Sequence, residues 1–98
     1  MISREDFVFA IGYDGDTAVV DGRSKRKYSG YSTLELAEAG FFKPAICSAL
    51  YEASEEALQR VLAIYNENSE IKLSSIEDLK RTFSTFEVPE NISKTAIY

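Results

Sequence analysis

The sequence predicts a mainly α fold, a small bundle of four to five short helices, with an N-terminal β-hairpin as the alternative for residues 4–20. Three observations carry this. Leu58, Val61, Leu62 and Tyr65 recur at the spacing of one helical face. Serines suited to helix capping precede three apolar stretches, at Ser32, Ser54 and Ser74 or Ser75. The chain has 98 residues, 45% hydrophobic and 28% charged, which suits one modest core. The expected organisation is a single helical domain over residues 1–89 and a C-terminal tail over 90–98.

Residues 4–20 carry two competing sets of signals. Ser3 followed by Asp6, an Ile2–Phe7 staple and a stop at Gly12 describe a short capped helix. Phe7–Ile11 and Thr17–Val20, flanking Gly12-Tyr13-Asp14-Gly15-Asp16, describe a hairpin with a five-residue loop. The agreement of start and stop signals favours the helix. The next segment, Arg23 to Lys27, reads as a basic turn running into Tyr28 and Tyr31.

Ser32 and Glu35 form an S-x-x-E capping box, with Tyr31 and Leu36 as its staple. Leu34, Leu36, Ala37 and Ala39 follow, and Gly40 supplies a left-handed stop. Phe41-Phe42-Lys43 lead to Pro44, expected at the first position of a helix ending near Ala53. A third helix is expected over 55–67, with Glu55 and Glu56 at the positive end of its dipole. After a short extended link at Ile71–Leu73, a fourth presents Ile76, Leu79, Phe83 and Phe86 before Val88-Pro89 stops it. The expected core is Phe7, Ile11, Leu34, Leu36, Ala37, Ile46, Leu50, Leu58, Val61, Leu62, Tyr65, Ile76, Leu79 and Phe83.

Composition excludes much chemistry. The chain has no histidine, which removes His-dependent triads, HExxH sites and the usual base near neutral pH. A single cysteine, Cys47, rules out an internal disulfide and lies in an apolar stretch suited to a buried, inert thiol. Neither GxGxxG nor GxxxxGK[ST] occurs. The longest apolar run, Phe7–Ile11, is far short of the ~20 residues a membrane helix needs. The N-terminus lacks a basic region followed by a long apolar run. The expectation is a cytoplasmic, non-enzymatic protein without membrane segment, cofactor or metal.

Charge is distributed unevenly around a net −5. Arg23, Lys25, Arg26 and Lys27 form a basic island flanked by acidic sequence and followed by Tyr28 and Tyr31. Basic groups beside aromatics grip acidic protein surfaces or stack on nucleic acid. Asp14-Gly15-Asp16 with Asp21 suggests a cation loop, but Ala18 and Val19 stand where further oxygen ligands and a glycine belong, so a polar turn is expected. The pairs Glu55/Glu56 and Glu77/Asp78 are adjacent on helices, do not face each other, and read as dipole compensation.

The run Thr33–Leu50 resembles the helix-turn-helix of bacterial repressors through Ala37, Gly40 at the turn and Ile46. It departs by one residue between Ala37 and Gly40. The same run looks like half an ankyrin repeat, again one residue short and without a second copy. The helix-turn-helix resemblance implies DNA binding through residues 44–53, where Ser48, Tyr51 and Glu52 are the polar groups and no Arg, Lys, Asn or Gln is present to read bases. Two function classes follow. The first is a non-catalytic protein-interaction or regulatory module, binding another protein through Arg23, Lys25, Arg26, Lys27, Tyr28, Tyr31, Phe41, Phe42 and Lys43. The alternative is a small helix-turn-helix-like nucleic-acid-binding protein.

Overall fold

The computed structural model describes residues 2–85 and 87–98; the expected contribution of Phe86 to the last helix lies outside them. Six helices and a three-stranded sheet are present among the described residues, in a mainly α chain. They divide into two compact units, one of residues 1–31 with 88–98, the other of residues 32–87.

In the first unit both N-terminal signals are realised, one after the other. Helix α1 spans Arg4–Val8, and the Ser3 side chain accepts the Asp6 amide as N-cap. The chain then turns into strand β1 (Ala10–Asp14), which pairs antiparallel with β2 (Thr17–Val20). The loop is two residues, Gly15-Asp16, rather than the expected five. Gly15 has φ +60 while Asp16 keeps negative φ, the pattern of a tight turn whose first central residue is glycine. Gly12 therefore lies within β1 and stops nothing.

Ile11, expected in the core, is 63% exposed. The register shifts between Ala10 and Gly12, so Ile11 is the extra residue of a β-bulge, which turns it out of the alternation. The buried hydrophobic residues of this unit are Ile2, Phe7, Val8, Phe9, Ala18, Val20 and Ile92. The last nine residues hold a strand rather than only a tail: β3 (Lys94–Ile97) runs parallel to β2 and completes the order β1-β2-β3. The segment expected to be a basic turn is helix α2 (Gly22–Tyr28).

The second unit follows expectation more closely. Helix α3 (Thr33–Glu38) has the full Ser32/Glu35 capping box. Gly40 (φ +87) ends it, with Phe41 N–H donating to Leu36 O and Gly40 N–H to Ala37 O. Helix α4 (Phe42–Tyr51) starts two residues earlier than expected, which places Pro44 third in the helix instead of first. This is still within the first turn, where its missing N–H leaves no bond broken. Helix α5 (Glu55–Asn68) is capped by Ser54, and α6 (Ile76–Thr82) by Ser75 rather than Ser74. The link between them is pinned by Asn66, whose amide donates to Leu73 O and accepts Leu73 N–H.

Leu36, Ala37, Ala45, Ile46, Ala49, Leu58, Val61, Leu62 and Leu79 form the core of this unit. Leu34, Leu50, Tyr65, Ile76 and Phe83, expected inside, are half-buried at its margin. No helix among the described residues is long and apolar enough to cross a membrane.

Candidate interaction surface

Helix α2 exists because Asp21 caps it. The Asp21 carboxylate accepts from Ser24 N–H (3.3 Å) and Ser24 Oγ–H (2.8 Å). Those bonds hold the Asp21 carboxyl below the usual carboxylate range. Lys25, Arg26 and Lys27 occupy the last turn, where positive charge favours the carbonyl end of the dipole. The sequence signal for this helix was an Asp cap, a run of Arg and Lys and a glycine at 30. No apolar stripe accompanies it, so periodicity is silent.

The four cations do not act together. Lys25 turns inward, and its Nζ donates to Asp6 Oδ1 at 2.6 Å. Asp6 Oδ2 also accepts from Thr95 Oγ on β3 (3.2 Å). Burial pushes the Asp6 carboxyl upward, but the Lys25 ammonium and the Ser3 and Thr95 hydroxyls outweigh it and hold the group below its ordinary value. Asp6 therefore ties α1, α2 and β3 together.

Arg23, Arg26 and Lys27 are exposed. They stand at i, i+3 and i+4, one face of α2. No salt bridge engages any of them among the described residues. Lys27 Nζ lies 5.5 Å from the centre of the Tyr28 ring, a cation–π contact, and Tyr28 meets Tyr31 edge-on at 5.3 Å. Arg4 donates to Tyr31 O at 2.7 Å, which fixes the chain after α2. The surface is thus three cations beside a braced pair of tyrosines.

The other three expected contact residues belong to the second unit. Phe42 is committed to a cluster of rings with Tyr65 (5.3 Å) and Phe83 (6.0 Å), themselves 5.7 Å apart. Phe41 is half-buried and Lys43 is exposed.

The helix pair α3/α4 is present, but its polar groups are spent internally. Ser48 is fully buried, with Oγ 2.7 Å from Thr33 Oγ, and Thr33 Oγ–H donates to Glu52 Oε1 at 2.5 Å. Five consecutive residues of α4, Ala45–Ala49, are buried. Cys47 is among them, and burial pushes its thiol up to about 11, against a smaller pull from Lys43.

The acidic turn also has internal duties. The Asp16 carboxylate accepts from Ser93 Oγ (3.1 Å) and Thr17 Oγ (3.3 Å), and its backbone carbonyl accepts Ser93 and Lys94 N–H at the start of β3. Among the described residues no group of three or more His, Cys, Asp or Glu is placed to hold a metal ion. No family model, curated protein or solved structure matches this chain.

Proposed function

We propose that this chain is a non-catalytic interaction module that binds an acidic surface of another protein through the exposed face of α2. The observation that supports it is the division of labour within one basic run. Lys25 is consumed by Asp6, whereas Arg23, Arg26 and Lys27 are exposed and in no salt bridge among the described residues. The rest of the chain carries net negative charge, so three exposed cations held outside any salt bridge favour an external acidic partner. Tyr28 and Tyr31 add rigid amphipathic rings, the residue types that anchor protein interfaces.

The nucleic-acid alternative has less support. Ser48 on α4 is inside the fold and Glu52 would repel phosphate. Three cations are also a small electrostatic footprint for a duplex.

The test is calorimetric titration of the full chain with a short polyglutamate and, separately, with duplex DNA, each at low and moderate salt. Polyglutamate is expected to bind, and the Arg23→Glu/Arg26→Glu/Lys27→Glu variant to lose at least tenfold in affinity with an unchanged circular dichroism spectrum. Equal affinity of variant and wild type would overturn the proposal. Tighter, α4-dependent binding of DNA would favour the alternative.

A further inference from the structure

The sheet of the first unit has two outer edges, and they are unlike. The β1 edge is interrupted by the bulge at Ile11. A bulge breaks the row of donors and acceptors and twists an edge away from further pairing. The β3 edge is regular. Its register with β2 is unbroken from Lys94 to Ile97, all four residues are exposed, and among the described residues β3 pairs with β2 alone.

The bonds on the β2 side fix what faces outward. Lys94 N–H donates to Asp16 O, Tyr98 N–H to Val20 O, and Gly22 N–H to Tyr98 O. Residues 94 and 98 therefore turn their backbone groups toward β2. Alternation along the strand turns both the N–H and the C=O of Thr95 and Ile97 to the open edge.

These groups match their own image. In an antiparallel pair, every second pair of facing residues exchanges both hydrogen bonds. Setting Thr95 against Ile97 of a second copy, about a twofold axis at Ala96, uses every outward N–H and C=O of both strands in four bonds. The side chains agree with that register. Ala96 meets Ala96 in the pair without hydrogen bonds, where Cα atoms come closest, at about 4.5 Å, and a methyl group fits there. Ile97, 51% exposed, meets the β-branched Thr95. Lys94 is the one charged residue of the strand and is already paired with Asp16 at 4.0 Å. It meets Tyr98, which is 80% exposed. It lies four residue steps, about 13 Å, from Lys94 of the other copy, beyond the ~8–10 Å at which salt screens exposed charges.

Symmetry separates a closed pair from a fibre. Contact of β3 with β1 of the next copy would propagate, but the bulge interrupts β1. Contact of β3 with β3 uses one patch twice and closes at two copies.

We infer that β3 pairs antiparallel with β3 of a second copy, with Ala96 on the twofold axis, joining two three-stranded sheets into one of six strands. This does not draw on the cations of α2, and it stands or falls apart from the function proposed above. Two strands of four residues fall well short of the ~1,200–2,000 Å² of a standard interface. The pairing is therefore weak and driven by concentration.

The experiment is nuclear magnetic resonance of the isotopically labelled full chain between ~10 μM and ~1 mM, the range that reveals weak association. Ala96→Lys and Ala96→Glu are the variants. The Ala96 side chain is exposed and the substitution leaves the backbone bonds to β2 in place. Each variant sets like charges directly opposite at the axis, which destabilises a cross-strand pair. In wild type the Thr95 and Ile97 amides are expected to shift with concentration and to exchange their hydrogens at least tenfold more slowly at the upper end. A mixture of labelled and unlabelled chains is expected to show a contact between the Ala96 Hα protons of two copies. Either variant alone should associate at least tenfold more weakly, and an equimolar mixture of the two should recover association, with circular dichroism unchanged throughout. If the Thr95 and Ile97 amides do not respond to concentration, or other residues respond while β3 does not, the inference is overturned. It is overturned equally if Ala96→Lys associates within twofold of wild type, or if the mixture associates no better than its components.

Discussion

Removing the Asp6 carboxylate should loosen the whole first unit, because three elements converge on it. Lys25 Nζ lies 2.6 Å from Oδ1, with side-chain exposures of 33% for Lys25 and 15% for Asp6. Such a pair falls between a surface salt bridge, worth about 0–1 kcal/mol, and a buried one, whose breakage costs about 3–5 kcal/mol. The Thr95 hydroxyl adds a hydrogen bond worth roughly 0.5–1.5 kcal/mol. Asp6→Ala should therefore cost about 1–3 kcal/mol, near 4–8 °C in Tm for each kcal/mol in a domain of this size. A double-mutant cycle with Lys25→Met should return a coupling of about 1 kcal/mol, since the two groups touch.

The same contact predicts a pH dependence with a definite sign. The Asp6 carboxyl is held below its ordinary value in the fold. Its contribution is complete above the unfolded-state carboxylate value and is lost as pH falls through the lowered folded value. Wild type and Asp6→Ala should differ fully at neutral pH and converge under strong acid. The assay is thermal unfolding by circular dichroism across pH, with hydrogen exchange at Lys94 and Tyr98, whose amides bond to β2, reporting the strand. A loss under about 0.3 kcal/mol at neutral pH, or a gap that persists unchanged into acid, would refute the assignment of Asp6 as the tie between α1, α2 and β3.

Three further outcomes are expected. Gly22→Ala places a Cβ 2.5 Å from Tyr98 O, a backbone atom that cannot yield alone, so the amides of β3 should lose exchange protection while those of α5 keep theirs. Ala53 (φ 53) and Ser84 (φ 52) sit left-handed just after α4 and α6, where Ser54 N–H reaches Ala49 O and Thr85 N–H reaches Lys80 O; Ala53→Gly and Ser84→Gly should each raise stability, by up to about 1 kcal/mol in denaturant melts. Cys47, buried and with its thiol raised to about 11, should resist a thiol reagent at pH 8 in the native chain and react promptly in denaturant.

The helices from Ser32 to Asn68 were legible because their signals are local. A capping box, a glycine stop and a 3.6-residue stripe each act within a few residues, and each was realised. The strand β3 was not legible: Lys94-Thr95-Ala96-Ile97 is short, and its partner β2 lies more than seventy residues earlier, with nothing local to announce a parallel pairing. At the N-terminus both sets of signals were right about different residues. The Ser3 cap governs only Arg4–Val8, and Gly15 rather than Gly12 makes the turn. Ile11 was misplaced because an apolar residue in an apolar run gives no sign that it is the bulge.

The candidate surface was legible in its residue types and not in its geometry. The basic island was visible as composition, but whether four cations face one way depends on a helix that periodicity could not reveal, and on Asp6, nineteen residues away, claiming one of them. That claim is what gives the surface its character. An all-exposed run of Lys and Arg would be a mobile charge, screened and nonspecific. Here α2 is capped by Asp21, tied through Lys25 to Asp6, joined through Gly22 to the end of β3, and followed by a tyrosine pair. The remaining cations are thus presented from a fixed helix whose first residue is hydrogen-bonded to the end of β3. Ordering a binding surface before the partner arrives lowers the entropy lost on association, and short elements such as α2 and β3 can supply that order only by being fastened to each other.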